Sequence, residues 1–217
     1  MVTYVLLTCN GNSPYWYKSF SQRLVDMERV MTQSIFDFAA FPTLTTERLV
    51  LREVQHTDAA AVLVSFGDYE VQKYNGPVLD LNGVHDMITD IRAAYAEKRS
   101  LVWGVTRQGE DTVMGMIGLW RWNRHHRRVD LGYDLARVYW GQGFASEGVT
   151  AVLHFAFTRM NLNRVDAYTI ADNHGSVRML ERLGFVREGT RRGYSWEDDG
   201  TFHDSAIYGL LGDEWQK

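Results

Sequence analysis

The residues with the clearest chemical potential are Gly141 and Gly143, in the segment W-G-Q-G-F-A-S from Trp140 to Ser146. A strand-like stretch precedes them, and a long apolar helix is predicted to follow. A glycine-rich turn that opens a helix leaves several main-chain N–H groups unpaired at the positive end of the helix dipole. We therefore predict an anion site here, most naturally one for phosphates.

Two familiar kinds of phosphate site fit this turn poorly. A P-loop requires a Lys followed by Ser or Thr after its second glycine, and the segment has no such Lys, which excludes it. The two glycines also begin a dinucleotide fingerprint, with Asp166 downstream as its acid. Only about 50 residues follow Asp166, however, and their two predicted strands are typical of a hairpin rather than of a Rossmann domain. An NAD-dependent enzyme is thus a weak alternative.

The elements that must hold this turn follow from hydrophobic periodicity. Strands are predicted over residues 45–53, 101–107, 112–122, 129–135, 164–170, 185–195 and 201–211, and helices over 59–66, 82–98, from 144 onward and over 173–183. His56, Thr57 and Asp58 offer N-cap chemistry for the first helix. Antiparallel strands come first and a β-α-β unit carries the glycine turn. This order indicates an α/β (α+β) domain with a mixed sheet and helices on both faces.

Composition narrows the class of protein. The formal net charge of -4 gives no electrostatic reason to bind nucleic acid or an anionic membrane, and no stretch is long and apolar enough to span a bilayer. Cys9 is the sole cysteine, so one chain can build neither a disulfide nor a Cys-based zinc site. His125 and His126 lack clustered carboxylates, and we expect no metal. These features predict a cytoplasmic protein with an N-terminal extension of unknown role (residues 1–40, with a helix around 20–36) and one domain (residues 41–217).

Five segments resemble the GNAT acetyltransferases and, within them, the RimJ/RimL-like branch. They are T-E-R-L-V-L-R-E (46–53), G-M-I-G-L (115–119), D-L-G-Y-D-L (130–135), Y-W-G-Q-G-F-A-S-E (139–147) and N-H-G-S-V-R-M-L-E-R-L-G-F-V-R-E-G (173–189). The resemblance implies a GNAT-like acyl-CoA N-acyltransferase fold whose central parallel strands, 130–136 and 164–170, splay apart to hold acetyl-CoA as co-substrate. The pantetheine arm would pair with the main chain of Tyr133, Asp134 and Leu135 and contact Asn173. The pyrophosphate would lie on Trp140, Gly141, Gln142, Gly143, Phe144, Ala145 and Ser146.

The resemblance also suggests which residues move protons. Many members of the family carry a Tyr that protonates the departing thiolate, and Leu180 stands at that position here. Ser176 lies one helical turn before Leu180 on the same face, and we consider it as proton donor or pantetheine contact. A first-turn Ser that satisfies main-chain N–H groups is an equal alternative. Asp130 is our candidate base, since the branch often has Glu there. A purely structural or solvated Asp130 remains an alternative.

The expected function is an acetyl-CoA-dependent N-acetyltransferase in which a primary amine attacks the thioester directly. The acceptor is either the α-amine of a protein N-terminus or a small-molecule amine, and we allow for a homodimer. A second hypothesis is a non-catalytic acyl-CoA-binding regulator, which the absent Tyr favours.

Overall fold

A computed structural model describes residues 37, 39–197 and 199–215. The helix predicted around residues 20–36 lies outside this part of the chain. In chain order the elements are β1 (Leu44–Thr45), β2 (Leu49–Glu53), α1 (Ala59–Phe66), α2 (Tyr69–Gln72), α3 (Leu81–Ala96), β3 (Leu101–Arg107), β4 (Gly115–Asn123), β5 (Arg128–Leu135), α4 (Phe144–Thr158), β6 (Arg164–Ile170), α5 (His174–Arg182), β7 (Val186–Trp196) and β8 (Phe202–Leu211).

The strands form one eight-stranded sheet in the order β1-β2-β3-β4-β5-β6-β8-β7. All neighbours in it are antiparallel except β5 and β6, which run parallel and are connected through α4. The predicted mixed sheet is therefore confirmed. The dinucleotide interpretation is wrong, because the strand that pairs with the far side of β6 is the antiparallel β8 and not a further parallel strand.

Helices cover both faces of the sheet because β3 and its neighbours are apolar on both sides. Trp103 and Val105 belong to the main core, which includes the buried stripes of α4 and α5. Val102, which directly precedes Trp103, joins a second core with α1 and α3. Alternate residues of a strand point to opposite faces, so one strand supplies both cores. We call the face with α4 and α5 the inner face and the opposite face the outer face.

Two local predictions differ from the structure. The strand expected over residues 45–53 is broken at residues 46–48, and its first part folds back so that Leu44 pairs with Leu51. The break arises because Thr46 bonds to Leu49 and to Glu147 of α4 instead of continuing the strand. Asp58 precedes α1 but makes no side-chain cap bond to it. Its carboxylate instead accepts from Arg52 and from the main-chain N–H of Gln55.

Candidate active site

The parallel strands β5 and β6 separate halfway along their length. Their pairing runs from Arg128 with Arg164 to Leu131 with Ala167 and then stops. From Gly132 to Leu135, β5 continues its pairing with β4 alone, and the end of β6 pairs with β8 alone. The diverging edges leave main-chain groups unpaired on both sides of a notch, which an extended amide-containing ligand can bind. The splaying expected between residues 130–136 and 164–170 is present.

The glycine turn lies just beyond the open end of β5. Gly141 and Gly143 have φ angles of +73° and +81°, a conformation that other L-residues adopt only with strain. Within the described residues, the main-chain N–H groups from Gly141 to Ser146 donate no hydrogen bond. They lie at the N-terminus of the fifteen-residue helix α4. The turn thus has the unpaired donors and the helix dipole that bind phosphate.

Side chains hold the turn in place. The indole N–H of Trp140 donates to the carbonyl of Leu135 at 2.7 Å, which ties the turn to the end of β5. The amide of Gln142 donates to the carbonyl of Val138 at 2.8 Å. The side chain of Trp140 thus supports the turn, in addition to the main-chain N–H groups predicted to bind phosphate.

Arg48 and Glu147 are the supporting residues that sequence reasoning missed. Arg48 donates to the Gln142 carbonyl at 3.1 Å and to the carboxylate of Glu147 at 2.6 Å, and its guanidinium lies 4.6 Å from the centre of the Phe144 ring. Glu147 also accepts from the Thr46 hydroxyl. Burial opposes ionisation of Glu147, but the bonds from Thr46 and Arg48 outweigh it and hold the pKa of Glu147 below its ordinary value. The T-E-R segment therefore fixes the first turn of α4.

On the inner face, the hydroxyls of Tyr133 and Ser176 lie 2.7 Å apart and join β5 to α5. Burial raises the pKa of Tyr133 to about 12, although the bond with Ser176 acts in the opposite direction, so Tyr133 keeps its proton at neutral pH. The Asn173 side chain accepts from the Ser176 main-chain N–H at 3.2 Å and caps α5. Leu180 is buried with 1% of its surface exposed and has no polar hydrogen to donate.

Asp130 lies on the outer face, opposite Tyr133, so the structure does not bring it to Ser176. Its carboxylate is 3.3 Å from the guanidinium of Arg121. Burial raises the pKa of Asp130 above its ordinary value; Arg121 opposes this, and the negative charge of Asp166 adds to it. Asp166 is the in-register neighbour of Asp130 on β6.

Asp134 also points to the outer face, two positions along β5 from Gly132. Its carboxylate is 2.9 Å from the hydroxyl of Ser65 on α1. Burial raises the pKa of Asp134 to about 7, although hydrogen bonds from Ser65 and from the main chain of Met116 act against it. The resemblance implied a role for the main chain of Asp134 and none for its side chain. Nothing in the local pattern indicates a partner 69 residues away.

The outer face between the two carboxyls is covered by Trp120 of β4. Gly118 and Gly132 are directly opposed on β4 and β5. A Cβ added to Gly118 would approach the Trp120 ring to 2.3 Å, and one on Gly132 to 2.9 Å. Only a glycine pair leaves room for the ring to lie on the sheet at this point.

The described residues contain no group of three or more His, Cys, Asp or Glu side chains arranged to hold a metal ion. None of their helices is both long enough and apolar enough to cross a bilayer.

Comparison with known proteins gives consistent matches. A family model described as an acetyltransferase (GNAT) domain matches residues 48–186. The chain is 35% identical over 173 residues to the uncharacterised N-acetyltransferase YoaA of Bacillus subtilis, which covers 79% of this chain and 97% of the relative. It is also 35% identical over 175 residues to the uncharacterised N-acetyltransferase p20 of Bacillus licheniformis, with coverage of 80% and 98%.

Among solved structures, RimJ of Mycobacterium smegmatis in complex with CoA-disulfide matches with a TM-score of 0.73. The match covers 82% of this chain and 90% of that one at 22% sequence identity. A likeness at this identity concerns the fold alone.

Proposed function

The chain belongs to the GNAT acetyltransferase family, and on that premise we propose that it transfers acetyl from acetyl-CoA to a primary amine by direct attack. The acceptor would be the α-amine of a protein N-terminus or a small-molecule amine. The family match and the names of the relatives support an N-acetyltransferase over the alternative of a non-catalytic regulator. The resemblance found in the motifs is confirmed by the family match.

The observation that carries the proposal is the notch with the glycine turn at its open end. The pantetheine arm would lie along the free edge of β5 from Gly132 to Leu135, where pairing with β6 has ended. The pyrophosphate would accept hydrogen bonds from the main chain between Gly141 and Ser146. This placement puts the thioester between the inner and outer faces of the sheet.

The two faces then offer different chemistry to the thioester. The outer face carries Asp130, which we propose attracts the acceptor's ammonium group. Asp130 is also the residue that the sequence suggested as the base that deprotonates the acceptor. The inner face carries the Tyr133–Ser176 pair, on the side from which the thiolate would leave. An amine that adds to the carbonyl carbon from the outer face would give a tetrahedral intermediate, from which the thiolate would leave toward the inner face.

Ser176 is our candidate proton donor in place of the absent Tyr. Because Tyr133 retains its proton at neutral pH, it can donate to Ser176 Oγ and leave the Ser176 hydrogen free for the thiolate. A thiol has a reference pKa of about 8.5, so a modest donor is sufficient. Tyr133→Phe would weaken such a donor, and Ser176→Ala would remove it.

The acceptor's own acidity favours some amines over others. An α-amine has a reference pKa of about 7.7 to 8.0, whereas that of a Lys side chain is about 10.4, so deprotonating Lys at pH 7 costs about 3.5 kcal/mol more. A single carboxylate base therefore suits an N-terminal or similarly acidic amine better than a lysine.

The test is release of free thiol from acetyl-CoA in the presence of a panel of amines. The panel comprises peptides that begin with Ala and with Ser, spermidine and benzylamine. We expect release above the hydrolysis background with at least one amine, together with a product heavier by one acetyl group. Binding of coenzyme A without release for any member of a wide panel would contradict the proposal.

Three expectations from the sequence remain predictions. They are that residues 41–217 form the transferase domain, that residues 1–40 form an extension, and that the protein is a homodimer.

A further inference from the structure

Asp134 occupies a position in the notch that the mechanism above leaves unused. It lies in the stretch of β5 from Gly132 to Leu135 that has no partner on β6, whereas Asp130 lies in the paired stretch. Both carboxyls point to the outer face, on either side of Gly132. At the rise of a β-strand their Cα atoms are roughly 13 Å apart.

The partner of Asp134 can serve either protonation state of the carboxyl. Ser65 is 1% exposed, and its hydroxyl lies 2.9 Å from Asp134 Oδ1 and 3.2 Å from the Val62 carbonyl. A serine has one hydrogen for these two acceptors. When Asp134 is ionised, Ser65 donates to it. When Asp134 is protonated, its own O–H can donate to Ser65 Oγ, and the Ser65 hydrogen turns to Val62.

Other charges are kept away from this carboxyl. Among the described residues, the groups that act on it are Ser65 of α1 and the main chain of Met116 on β4. Arg137, three residues after Asp134, pairs at 2.9 Å with Asp68, three residues after Ser65. Asp130, in contrast, is paired with Arg121 at 3.3 Å. A carboxylate without a cationic partner is the better proton acceptor.

We propose that Asp134, oriented by Ser65, takes the proton that the acceptor ammonium loses. Asp130, roughly 13 Å further along the strand, attracts the approaching ammonium by its charge and does not touch it. This inference rests on the acetyl transfer proposed above. It assigns Asp134 as the proton acceptor and Ser65 as its positioning residue.

The steps balance as follows. The ammonium gives one proton to the Asp134 carboxylate and becomes a neutral amine. The amine nitrogen bonds to the thioester carbon, and the carbon–sulfur bond breaks with its electron pair on sulfur. The nitrogen releases its second proton to solvent. The thiolate takes a proton from Ser176, which regains one from solvent through Tyr133. Asp134 then returns its proton to solvent, so the sum is ammonium plus acetyl-CoA giving amide, coenzyme A and one proton.

The pKa of about 7 that burial gives Asp134 supports this role. A base works best when its pKa lies near the working pH.

The experiment is the pH dependence of kcat/KM for the fastest amine of the panel, measured for four proteins. The wild type should lose activity below about pH 7. Asp134→Asn should lower kcat/KM at pH 8 by roughly a hundredfold or more, and it should abolish this loss of activity at low pH, the acid limb of the profile. Ser65→Ala removes a bond that favours the ionised carboxyl, so it should move the limb upward by about one pH unit. Ser100→Ala, which truncates another buried serine, should leave the limb in place.

Because the same amine is used throughout, a limb set by the amine itself would not move between the variants. An NMR titration of carbon-13-labelled aspartates in the wild type gives a second readout that does not depend on activity. It should show the Asp134 carboxyl titrating near pH 7, with the signal identified by its loss in Asp134→Asn.

Transfer activity with the same acid limb in Asp134→Asn, or titration of Asp134 below pH 5, would overturn this inference and leave acetyl transfer intact. A wild-type protein that binds coenzyme A but acetylates no amine would instead overturn the proposed function, and this inference with it.

Discussion

The burial of Asp134 has a consequence for stability that can be measured without any substrate. Its pKa of about 7 in the folded protein lies above the ordinary 3.8, so the folded state holds a proton that the unfolded state has lost. Stability should therefore fall as pH rises from about 4 to about 7. At 1.36 kcal/mol for each tenfold change, the full loss is about 4 kcal/mol, of which about 2 to 3 kcal/mol falls between pH 5 and pH 8.

Urea denaturation at pH 5 and pH 8 tests this for the wild type and for Asp134→Asn. Asparagine has nearly the same shape and cannot ionise, so the variant should lack this part of the pH dependence and gain stability relative to the wild type at pH 8. Asp90→Asn, at an exposed position of α3, serves as the control and should behave as the wild type. If the wild type and Asp134→Asn lose the same free energy between the two pH values, the reasoning about this buried carboxyl is refuted.

Three further predictions concern the turn, its support and the proton donor. Gly141→Ala should weaken coenzyme A binding in calorimetry. Gly109→Ala is the matched control, because Gly109 has a φ of +79° in a turn with equal space around an added Cβ, away from the glycine turn. It should lower the stability by a similar amount and leave binding unchanged. Glu147→Gln should destabilise the protein by about 1–3 kcal/mol at pH 7 in urea denaturation, because it weakens the bonds from Thr46 and Arg48. Because the pKa of Glu147 is lowered in the folded protein, the difference from the wild type should shrink as pH falls from the ordinary pKa of 4.5 toward the lowered one, and a constant difference would contradict this. Ser176→Ala should reduce kcat by roughly tenfold to a hundredfold with little change in coenzyme A affinity, and Tyr133→Phe should reduce it less; unchanged turnover in Ser176→Ala would exclude the donor role.

Much of the fold could be predicted from hydrophobic periodicity, because the two-residue period of strands and the 3.6-residue period of helices are both strong in this chain. The strands at 101–107 and 164–170 and the helix at 59–66 have the predicted bounds. The strand at 45–53 was predicted as continuous because its side chains alternate throughout. It breaks because Thr46 forms bonds to α4, about a hundred residues away, which outweigh its strand pattern.

In the candidate site, too, some features could be predicted from the sequence and others depend on contacts between distant segments. The glycine turn follows from local sequence, since main-chain conformation there depends on Gly141 and Gly143, whereas the open edge of β5 was expected from the resemblance to the GNAT acetyltransferases. The side-chain pairs that complete the site join distant segments: Arg48 with Glu147, Ser65 with Asp134, and Tyr133 with Ser176. No local spacing indicates such a pair. The acidity of Asp134 depends on burial against α1, which only the tertiary structure shows.

Isothermal titration of coenzyme A into the intact chain tests the central claim most directly, because phosphate binding at the glycine turn and an open notch are required by every later step. We predict binding at one site per chain, weakened by Gly141→Ala and absent for NAD at the same concentration. A folded chain that takes up no coenzyme A, or that binds NAD more tightly, would contradict the account.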